Sequence, residues 1–329
     1  MGLGNVGISE NYPEVSKDVM KSKLNILKKR FLSSYNSDIK ERIDRIKRIR
    51  ALVEENTDAF HKTLEEDFGT RHEQLSLLAD TLPVIAGANN ALKHIHKWTK
   101  PDKRKPNFPL GLLGSKASVQ FQPYGVVGVI SPWNFPLTLS LAPLIEIFAA
   151  GNNAMMKLSE FVPATSELTE ELVKKFFTEE EVVVINGGPK TSSDFATLPF
   201  DHLLFTGSTN VARKVSEAAA SNLVPLTLEL GGKSPVIVGP NAKLKKSVDK
   251  IMMGKLVNAG QICIAPDYIF VPQNKEDEFV QHATDFVKSH YPTVRNNPDY
   301  TSIIHLNHYE RLKELIRDAE EKGAKVVEI

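Results

Sequence analysis

The chain has 329 residues, which is long for a single hydrophobic core, so two domains are expected. Hydrophobic residues at 41% and charged residues at 25% describe an ordinary globular protein. Lysine and arginine number 41 against 40 aspartates and glutamates, and a net charge of +1 creates no basic field, so no nucleic-acid partner is expected. The single cysteine, Cys263, excludes an internal disulfide framework and favours a reducing, cytoplasmic location.

Two motifs near the N-terminus lack the sequence context that their usual functions require. Residues 2–7 spell the G-x-G-x-x-G dinucleotide fingerprint, but no strand precedes them to form the βα turn that would hold a pyrophosphate. They also begin like a myristoylation signal, but Val6 stands where serine or threonine is required. Residues 117–145 carry no charge and are long enough to span a bilayer, but prolines interrupt them repeatedly, so no membrane segment is expected.

The first hundred residues are predicted to be helical. Apolar side chains at intervals of three or four indicate one amphipathic helix over residues 37–68, which Asn36 or Ser37 could cap and Gly69 would end. A shorter helix is expected to begin near Glu14, and two more are expected over residues 73–98.

The pattern changes after residue 116. Residues 118–122 alternate like a half-exposed strand. Short apolar segments predict buried strands at 126–130, 154–158, 182–185, 203–205 and 226–230. Helices are expected between them at 139–150, 163–177, 192–196 and 211–220. Strands buried on both faces and separated by helices predict a doubly wound, Rossmann-like α/β sheet, which binds ligands at the carboxyl ends of its strands.

A second βα series begins after Leu230. Strands are expected at 235–238 and 268–271, and helices at 247–258, 276–289 and 308–322. The series stops at residues 325–329, which resemble the middle of a strand, so the chain is expected to be truncated.

Cys263 is the first candidate for chemistry. A lone cysteine is more often an inert core residue than a nucleophile. Gly260 permits close backbone approach and Pro266 ends any helix soon after the cysteine, so the thiol is expected on a tight turn. A thiol ionises at neutral pH only with help from a base, a positive field or clustered backbone N–H groups. The role of Cys263 therefore depends on its partners.

Two charged residues lie at the ends of predicted strands. A carboxylate at Glu229, at the end of an apolar strand, is costly unless it serves chemistry or pairs with a cation, for which Lys233 is the simple candidate. Lys157 could bind a ribose or a phosphate, or extend to the surface.

Two loops that follow strands carry hydrogen-bond donors. Asn134, between Pro132 and Pro136, offers a neutral N–H that could stabilise an oxyanion, although an isolated asparagine more often bonds its own turn. Gly207 lets the backbone approach a diphosphate, and Ser208 could donate to that diphosphate or simply cap the following helix.

Five motifs, in this order along the chain, resemble the aldehyde dehydrogenase superfamily. They are Pro132-Trp133-Asn134-Phe135-Pro136, Lys157-x-Ser159-Glu160, Phe205-Thr206-Gly207-Ser208-Thr209, Glu229-Leu230-Gly231-Gly232-Lys233-Ser234-Pro235 and Gly260-Gln261-x-Cys263. Residues 260–268 look like the class 3 branch, which acts on fatty and aromatic aldehydes. Residues 71–73, 121–128 and 143–152 look most like the coniferyl aldehyde dehydrogenases of that superfamily.

The resemblance implies oxidation of an aldehyde, either an aromatic one such as coniferyl aldehyde or a fatty one, to the carboxylic acid with NAD or NADP. It implies Cys263 as the nucleophile, Asn134 as an oxyanion donor and Glu229 as the base that activates water. Glu160 favours NAD over NADP, and no metal is implied. Contacts to the cofactor are implied for Lys157, Glu160, Gly207, Ser208, Trp133 and Pro132.

The resemblance also implies two domains. Residues 1–227 would bind NAD(P) and would include the N-terminal helices and an oligomerisation strand near 115–123, while residues 228–329 would form an incomplete catalytic domain. Leu158 and Ala212 depart from the proline and glycine that are usual there, and the family's Glu-x-Phe-Gly-Pro segment and C-terminal dimer strand are absent. Because that C-terminal strand completes a dimer in the family, the resemblance implies a homodimer for the complete protein. The alternative function is that of an inactive fragment or a non-catalytic nucleotide-binding protein.

Overall fold

The computed structural model describes residues 12–33, 38–295 and 297–329. The fingerprint at residues 2–7 and the proposed capping residues Asn36 and Ser37 lie outside the described residues. The N-terminal part is helical, as the sequence predicts. Its helices are α1 (Lys17–Ser33), α2 (Ile39–Glu54), α3 (Thr57–Phe68), α4 (Glu73–Ser76) and α5 (Leu82–Trp98), with a π-helical turn, Leu77–Thr81, between the last two.

The prediction of one continuous helix over residues 37–68 is wrong, because the chain leaves the helical conformation at Asn56. Asn56 takes φ −124°, and its side-chain amide donates to the Leu52 carbonyl at 2.8 Å. The Thr57 hydroxyl donates to the Val53 carbonyl at 2.9 Å. Local side-chain bonds of this kind replace the next helical backbone bonds and divide the helix into α2 and α3. The predicted stop at Gly69 is confirmed, with φ +78°.

A small antiparallel hairpin precedes the main sheet. It pairs β1 (Asp102–Arg104) with β2 (Ala117–Val119), which lies at the start of the strand predicted at 118–122. Both strands are exposed along their whole length.

Five parallel strands form the central sheet, as the sequence predicts. They are β3 (Val126–Ile130), β4 (Asn153–Lys157), β5 (Val182–Ile185), β6 (His202–Gly207) and β7 (Leu226–Leu230), in the spatial order β5-β4-β3-β6-β7. The intervening helices are α6 (Thr138–Ala149), α7 (Pro163–Phe176), α8 (Pro189–Ala196) and α9 (Thr209–Ala220). One face of the sheet packs on α2, α3 and α5 to α7, and the other packs on α1, α8 and α9. The doubly wound α/β fold is confirmed.

One strand of this sheet differs from its prediction. The segment 226–230 was expected to be buried on both faces, but β7 is the outer strand, and Thr227, Leu228 and Glu229 are exposed. In the described part of the chain no further strand of this sheet covers it.

A second, two-stranded parallel sheet follows. Its strands are β8 (Ser234–Ile237) and β9 (Pro266–Phe270), and α10 (Leu244–Leu256) lies between them in the chain. Two helices follow, α11 (Glu276–His290) and α12 (Leu306–Glu321). A small core around Val248 and Ile251 joins the strands to α10 and α11. The strand predicted at 325–329 is wrong, since these residues are exposed and pair with no strand that the structure describes. Of the helices described, none is long and apolar enough to cross a membrane.

Candidate active site

Cys263 lies on the turn that joins α10 to β9, and its side chain is exposed. Three consecutive residues before it, Asn258, Ala259 and Gly260, take left-handed φ values of +52°, +54° and +73°. Only the glycine adopts this conformation without a steric penalty. The sequence prediction of a tight turn is confirmed, and this turn, residues 258–263, is called the thiol turn below.

Asn134 contacts the thiol turn directly. Its side-chain amide donates to the Gln261 carbonyl at 3.0 Å, although 127 positions separate the two residues in the chain. The expectation that this asparagine bonds its own turn is therefore wrong. A side-chain NH2 group carries two donors, so the second N–H of Asn134 is available beside the turn.

The glycine pair after β7 also reaches the thiol turn. A Cβ atom at Gly232 would stand 2.6 Å from the carbonyl oxygen of Cys263. The backbone at Gly232 therefore lies against the peptide of Cys263, and only a residue without a side chain allows this approach.

Glu229 itself is exposed at the outer edge of the sheet. The reasoning that burial makes its carboxylate costly is therefore wrong, because β7 has no outer neighbour among the described strands. The simple alternative, a pair with Lys233, does not form either, since the Lys233 ammonium binds Asp267. What the structure establishes for Glu229 is its place near the end of β7, three residues before Gly232, whose loop contacts the thiol turn.

Lys157 ends β4 and is almost completely buried, at 1% exposure. Its ammonium donates to the Leu158 carbonyl at 2.6 Å and to the Glu160 carboxylate at 2.9 Å. Burial lowers the pKa of Lys157, and the charge of Glu160 opposes that shift. The alternative that Lys157 extends to the surface is therefore wrong. Among the described residues two acceptors bind this ammonium, which leaves one of its three N–H groups for a ligand at this edge of the sheet.

The loop after β6 has the geometry of a helix N-terminus. Ser208 is the N-cap of α9, and its hydroxyl accepts from the Val211 N–H at 3.3 Å. A Cβ atom at Gly207 would stand 2.6 Å from the Phe205 ring, so the position requires glycine. The capping role of Ser208 is thus present, and it leaves the other N–H groups of the first turn free for an anion. Ala212 points into the core at 3% exposure.

Pro132 and Trp133 follow β3 and are partly buried. The Trp133 ring lies 5.4 Å from the His308 ring in an edge-to-face arrangement and 6.3 Å from the Phe68 ring. His308 is held in turn against His305, with ring centroids 4.3 Å apart. Burial, followed by the charges of His305 and Arg311, lowers the pKa of His308 to about 4.

Sequence reasoning missed a buried polar network beneath the thiol turn. Its centre is the ion pair of Arg71 with Asp80, which are 2% and 0% exposed. Burial raises the pKa of Asp80, and Arg71 together with two backbone N–H groups opposes that rise. Arg71 appeared only within the segment 71–73 that resembles coniferyl aldehyde dehydrogenases, and no local pattern connects it with residues almost two hundred positions away.

Gln261 extends this network to the loop before α12. Its side-chain amide donates to the carbonyls of Asn258 and Ser302, each at 3.0 Å, and its side-chain oxygen accepts from the Ile304 N–H at 3.0 Å. Every polar atom of the Gln261 side chain is thus used to hold the thiol turn in place.

The fold and these loops define an α/β protein with an exposed thiol beside the carboxyl edge of a nucleotide-binding type of sheet. The aldehyde dehydrogenase family model matches residues 9–328, so the chain belongs to the aldehyde dehydrogenase family. The probable coniferyl aldehyde dehydrogenase of Caulobacter vibrioides is 46% identical over 320 residues, which are 96% of this chain and 66% of that protein. The coniferyl aldehyde dehydrogenase of a Pseudomonas species is 44% identical, over 97% of this chain and 66% of that protein.

Solved structures agree with this assignment. Staphylococcus aureus AldH, solved in a substrate-bound state, matches with a TM-score of 0.86 and 34% identity, over 92% of this chain and 66% of that chain. Mycobacterium tuberculosis aldehyde dehydrogenase, solved with NAD+, matches with a TM-score of 0.83 and 25% identity, over 96% of this chain and 65% of that chain. The resemblance read from the five motifs is confirmed, and the chain spans just under two thirds of the length of its coniferyl relatives.

Proposed function

We propose that this chain carries the reactive thiol and the cofactor platform of an enzyme that oxidises aldehydes to carboxylic acids with NAD(P)+. The observation that carries the proposal is the bond from the Asn134 side chain to the Gln261 carbonyl. It puts a neutral side-chain donor beside the turn that bears the only thiol in the chain. A nucleophile next to an oxyanion donor is what acyl chemistry on an aldehyde requires.

In the proposed reaction, the Cys263 thiolate attacks the aldehyde carbon and forms a thiohemiacetal. The free N–H of Asn134 and the backbone N–H of Cys263 stabilise its oxyanion. Loss of hydride from the carbon leaves a thioester on Cys263.

Glu229 then takes a proton from water, which attacks the thioester carbonyl, releases the carboxylic acid and restores the thiol. Glu229 is exposed, so its carboxylate has access to bulk water, which supports this role. A carboxylate at Glu229 also favours hydrolysis over transfer of the acyl group to coenzyme A.

The residues present fit NAD(P)+, which accepts the hydride when bound. Lys157 and Glu160 would hold the adenosine ribose, and Gly207 with Ser208 would face the diphosphate at the start of α9. The fit rests on the ammonium N–H of the buried Lys157 that no described residue accepts from, and on the first-turn backbone N–H groups that Ser208 leaves free at the start of α9. Pro132 and Trp133 line the same edge of the sheet. The carboxylate of Glu160 favours NAD over NADP because a 2′-phosphate would be repelled by it.

For the substrate, we propose an aromatic aldehyde such as coniferyl aldehyde, with fatty aldehydes as the second class. Two relatives that share 44–46% identity with this chain are named as coniferyl or probable coniferyl aldehyde dehydrogenases, which supports this choice. The proposed division at residues 227 and 228 falls within β7 and stays a prediction.

We also propose a cytoplasmic homodimer. An exposed catalytic thiol requires a reducing compartment. The segment around β1 and β2 exposes several large apolar side chains, which are Phe108, Leu112, Leu113 and Phe121.

The test measures NADH formation by the natural protein with coniferyl aldehyde, hexanal and decanal, first with NAD and then with NADP. Coniferyl aldehyde is expected to be the best substrate. Cys263→Ala should abolish turnover, whereas Glu229→Gln should still form about one equivalent of NADH per site as the thioester accumulates on Cys263 and is not hydrolysed. NADH formation that survives Cys263→Ala undiminished would exclude the proposed nucleophile. Nucleotide binding without NADH formation by the unaltered protein would favour the non-catalytic alternative.

A further inference from the structure

Arg71 joins two loops that are far apart in sequence. Its Nη1 donates to the Asn134 carbonyl at 3.0 Å and to the Asn258 side-chain oxygen at 3.2 Å. Asn134 belongs to the loop after β3, and Asn258 begins the thiol turn. One guanidinium nitrogen therefore fixes the proposed oxyanion donor and the proposed nucleophile relative to each other.

Asp80 fixes Arg71 from the opposite side. Its carboxylate pairs with the guanidinium Nη2 and also accepts from the backbone N–H of Leu137, at 3.1 Å, at the start of α6. The guanidinium lies against aromatic rings as well, with its carbon 4.4 Å from the Phe68 ring centroid and 5.3 Å from that of Phe135. A fully buried and fully oriented arginine is costly to place, so its geometry calls for a reason.

We propose that Arg71, oriented by Asp80, is the positioning residue that holds the thiol turn in register with Asn134, and this role deepens the function proposed above and rests on it. Asn258 is the link in the turn. Its side-chain oxygen accepts from Arg71, and its side-chain nitrogen donates to the Asn134 carbonyl at 3.2 Å. Arg71, Asn134 and Asn258 form a closed triangle of hydrogen bonds.

The thiol turn needs such a tether because its own backbone does not favour its shape. Asn258 and Ala259 both occupy the left-handed region, which side-chain-bearing residues rarely adopt in succession. Strained backbone persists only where surrounding contacts hold it. Without Arg71, the turn can relax toward ordinary φ values and carry Cys263 away from Asn134.

A lysine cannot replace the arginine here. The lysine ammonium is a point charge that can still balance Asp80. It lacks the planar guanidinium, in which Nη2 binds the Asp80 carboxylate while Nη1 binds the oxygens of Asn134 and Asn258. Arg71→Lys therefore keeps the buried charge balance and removes the tether. Arg45→Lys is the matched control, because Arg45 is 1% exposed and pairs with Glu41 and Glu181, and it forms no hydrogen bond with the thiol turn, all of whose residues the structure describes.

Two readouts test the proposal in the natural protein. The first is steady-state kinetics, where Arg71→Lys should lower kcat about tenfold to a hundredfold while KM for the cofactor stays within about twofold. The second is hydrogen–deuterium exchange of the peptide that covers residues 257–266, whose protection includes the bond from the Gln261 N–H to the Asn258 carbonyl at 3.0 Å. Exchange in this peptide should accelerate at least about tenfold in Arg71→Lys and stay unchanged in Arg45→Lys.

A second variant keeps the test open if Arg71→Lys does not fold. Asn258→Gly retains the left-handed backbone and the Arg71–Asp80 pair but removes the linking amide. It should reproduce the kcat loss and the faster exchange, and the double variant should be no worse than Asn258→Gly alone.

Equal exchange in Arg71→Lys and Arg45→Lys, or strictly additive effects of the two substitutions at 71 and 258, would overturn the positioning role. Failure of the proposed function is distinguishable, because it would show as absent aldehyde oxidation in the unaltered protein while the exchange comparison remained informative.

Discussion

Gly232 lies directly against the carbonyl oxygen of Cys263, at a distance that leaves no room for a Cβ atom. The contact joins two loops, one that links β7 to β8 and one that links α10 to β9. Because the obstructing atom is backbone, it cannot swing aside as a flexible side chain would. The position of the thiol turn is therefore set partly by the absence of a side chain at residue 232.

Gly232→Ala is expected to displace the thiol turn and lower kcat/KM about a hundredfold, since shifts of about 1 Å at a reacting group have effects of that size. The measurement is NADH formation under first-order conditions. Gly231→Ala is the matched control, because a Cβ atom at Gly231 meets nothing within 4 Å. Similar losses in both variants would show that the effect comes from the loop in general and not from the contact with Cys263.

Substitutions at Ala259 and Gly260 are expected to change stability in opposite directions. Ala259→Gly removes the strain of a left-handed alanine, which costs about 1–2 kcal/mol. Ordering a glycine on folding costs about 0.5–1 kcal/mol of conformational entropy, so a small gain in unfolding free energy is expected. Gly260→Ala introduces the same strain and also places a Cβ atom 3.0 Å from the Lys255 carbonyl, so a loss of at least about 1 kcal/mol is expected. Denaturant unfolding measures both, and a loss in Ala259→Gly would contradict the strain argument.

Most of the fold could be predicted from local patterns. The strands β3, β5 and β7 have the predicted bounds, because short apolar segments between glycine and proline breaks are a strong signal. The break at Asn56 was not predictable from periodicity, since the apolar stripe continues across it and only the side-chain bonds of Asn56 and Thr57 interrupt the backbone. The exposure of β7 was missed because its apolar sequence does not reveal an outer position in the sheet.

The candidate site was predictable only in part. Motifs identified Asn134, Lys157 and Cys263, each on a loop or strand end whose local sequence is distinctive. Arg71 and Asp80 could not be found in this way, because their significance comes from partners across the fold and neither lies in a recognisable turn or strand. Gly260 indicated a left-handed position, but nothing local indicated that Asn258 and Ala259 share it.

Glu160→Gln is expected to reduce the preference for NAD. Removal of the carboxylate eliminates repulsion of a 2′-phosphate, so the ratio of kcat/KM with NADP to that with NAD should rise about tenfold. It also removes the partner of the buried Lys157 ammonium, which lowers the pKa of Lys157 further and should lower the melting temperature. The readout is NADH and NADPH formation at matched aldehyde concentration.

Glu167→Gln supplies the control for that experiment. It removes the same charge from the exposed surface of α7, in a helix that begins just after Glu160. An unchanged cofactor ratio in Glu160→Gln, or an equal change in Glu167→Gln, would exclude the proposed contact between Glu160 and the adenosine ribose.

His308 is expected to make the fold sensitive to mild acid. Burial, His305 and Arg311 lower its pKa from 6.5 to about 4 in the folded chain. Between these two values the unfolded chain binds a proton that the folded chain does not, so the stability present above pH 6.5 is lost as the pH falls toward 4. Allowing for partial exposure of the ring, unfolding free energy should fall by about 1 kcal/mol between pH 7 and pH 5 through this residue.

The comparison that isolates this effect is His308→Gln against His96→Gln, measured by denaturant unfolding at pH 7 and pH 5. His96 is an exposed histidine near the end of α5, so its removal should leave the acid sensitivity of the unaltered protein intact. Asp67, whose pKa burial raises to about 6, gives the opposite slope in all three proteins and therefore cancels. Because His308 packs on Trp133, protonation should also weaken the support of the loop that carries Asn134. An equal loss of stability in His308→Gln and His96→Gln on acidification would assign the acid sensitivity to other groups.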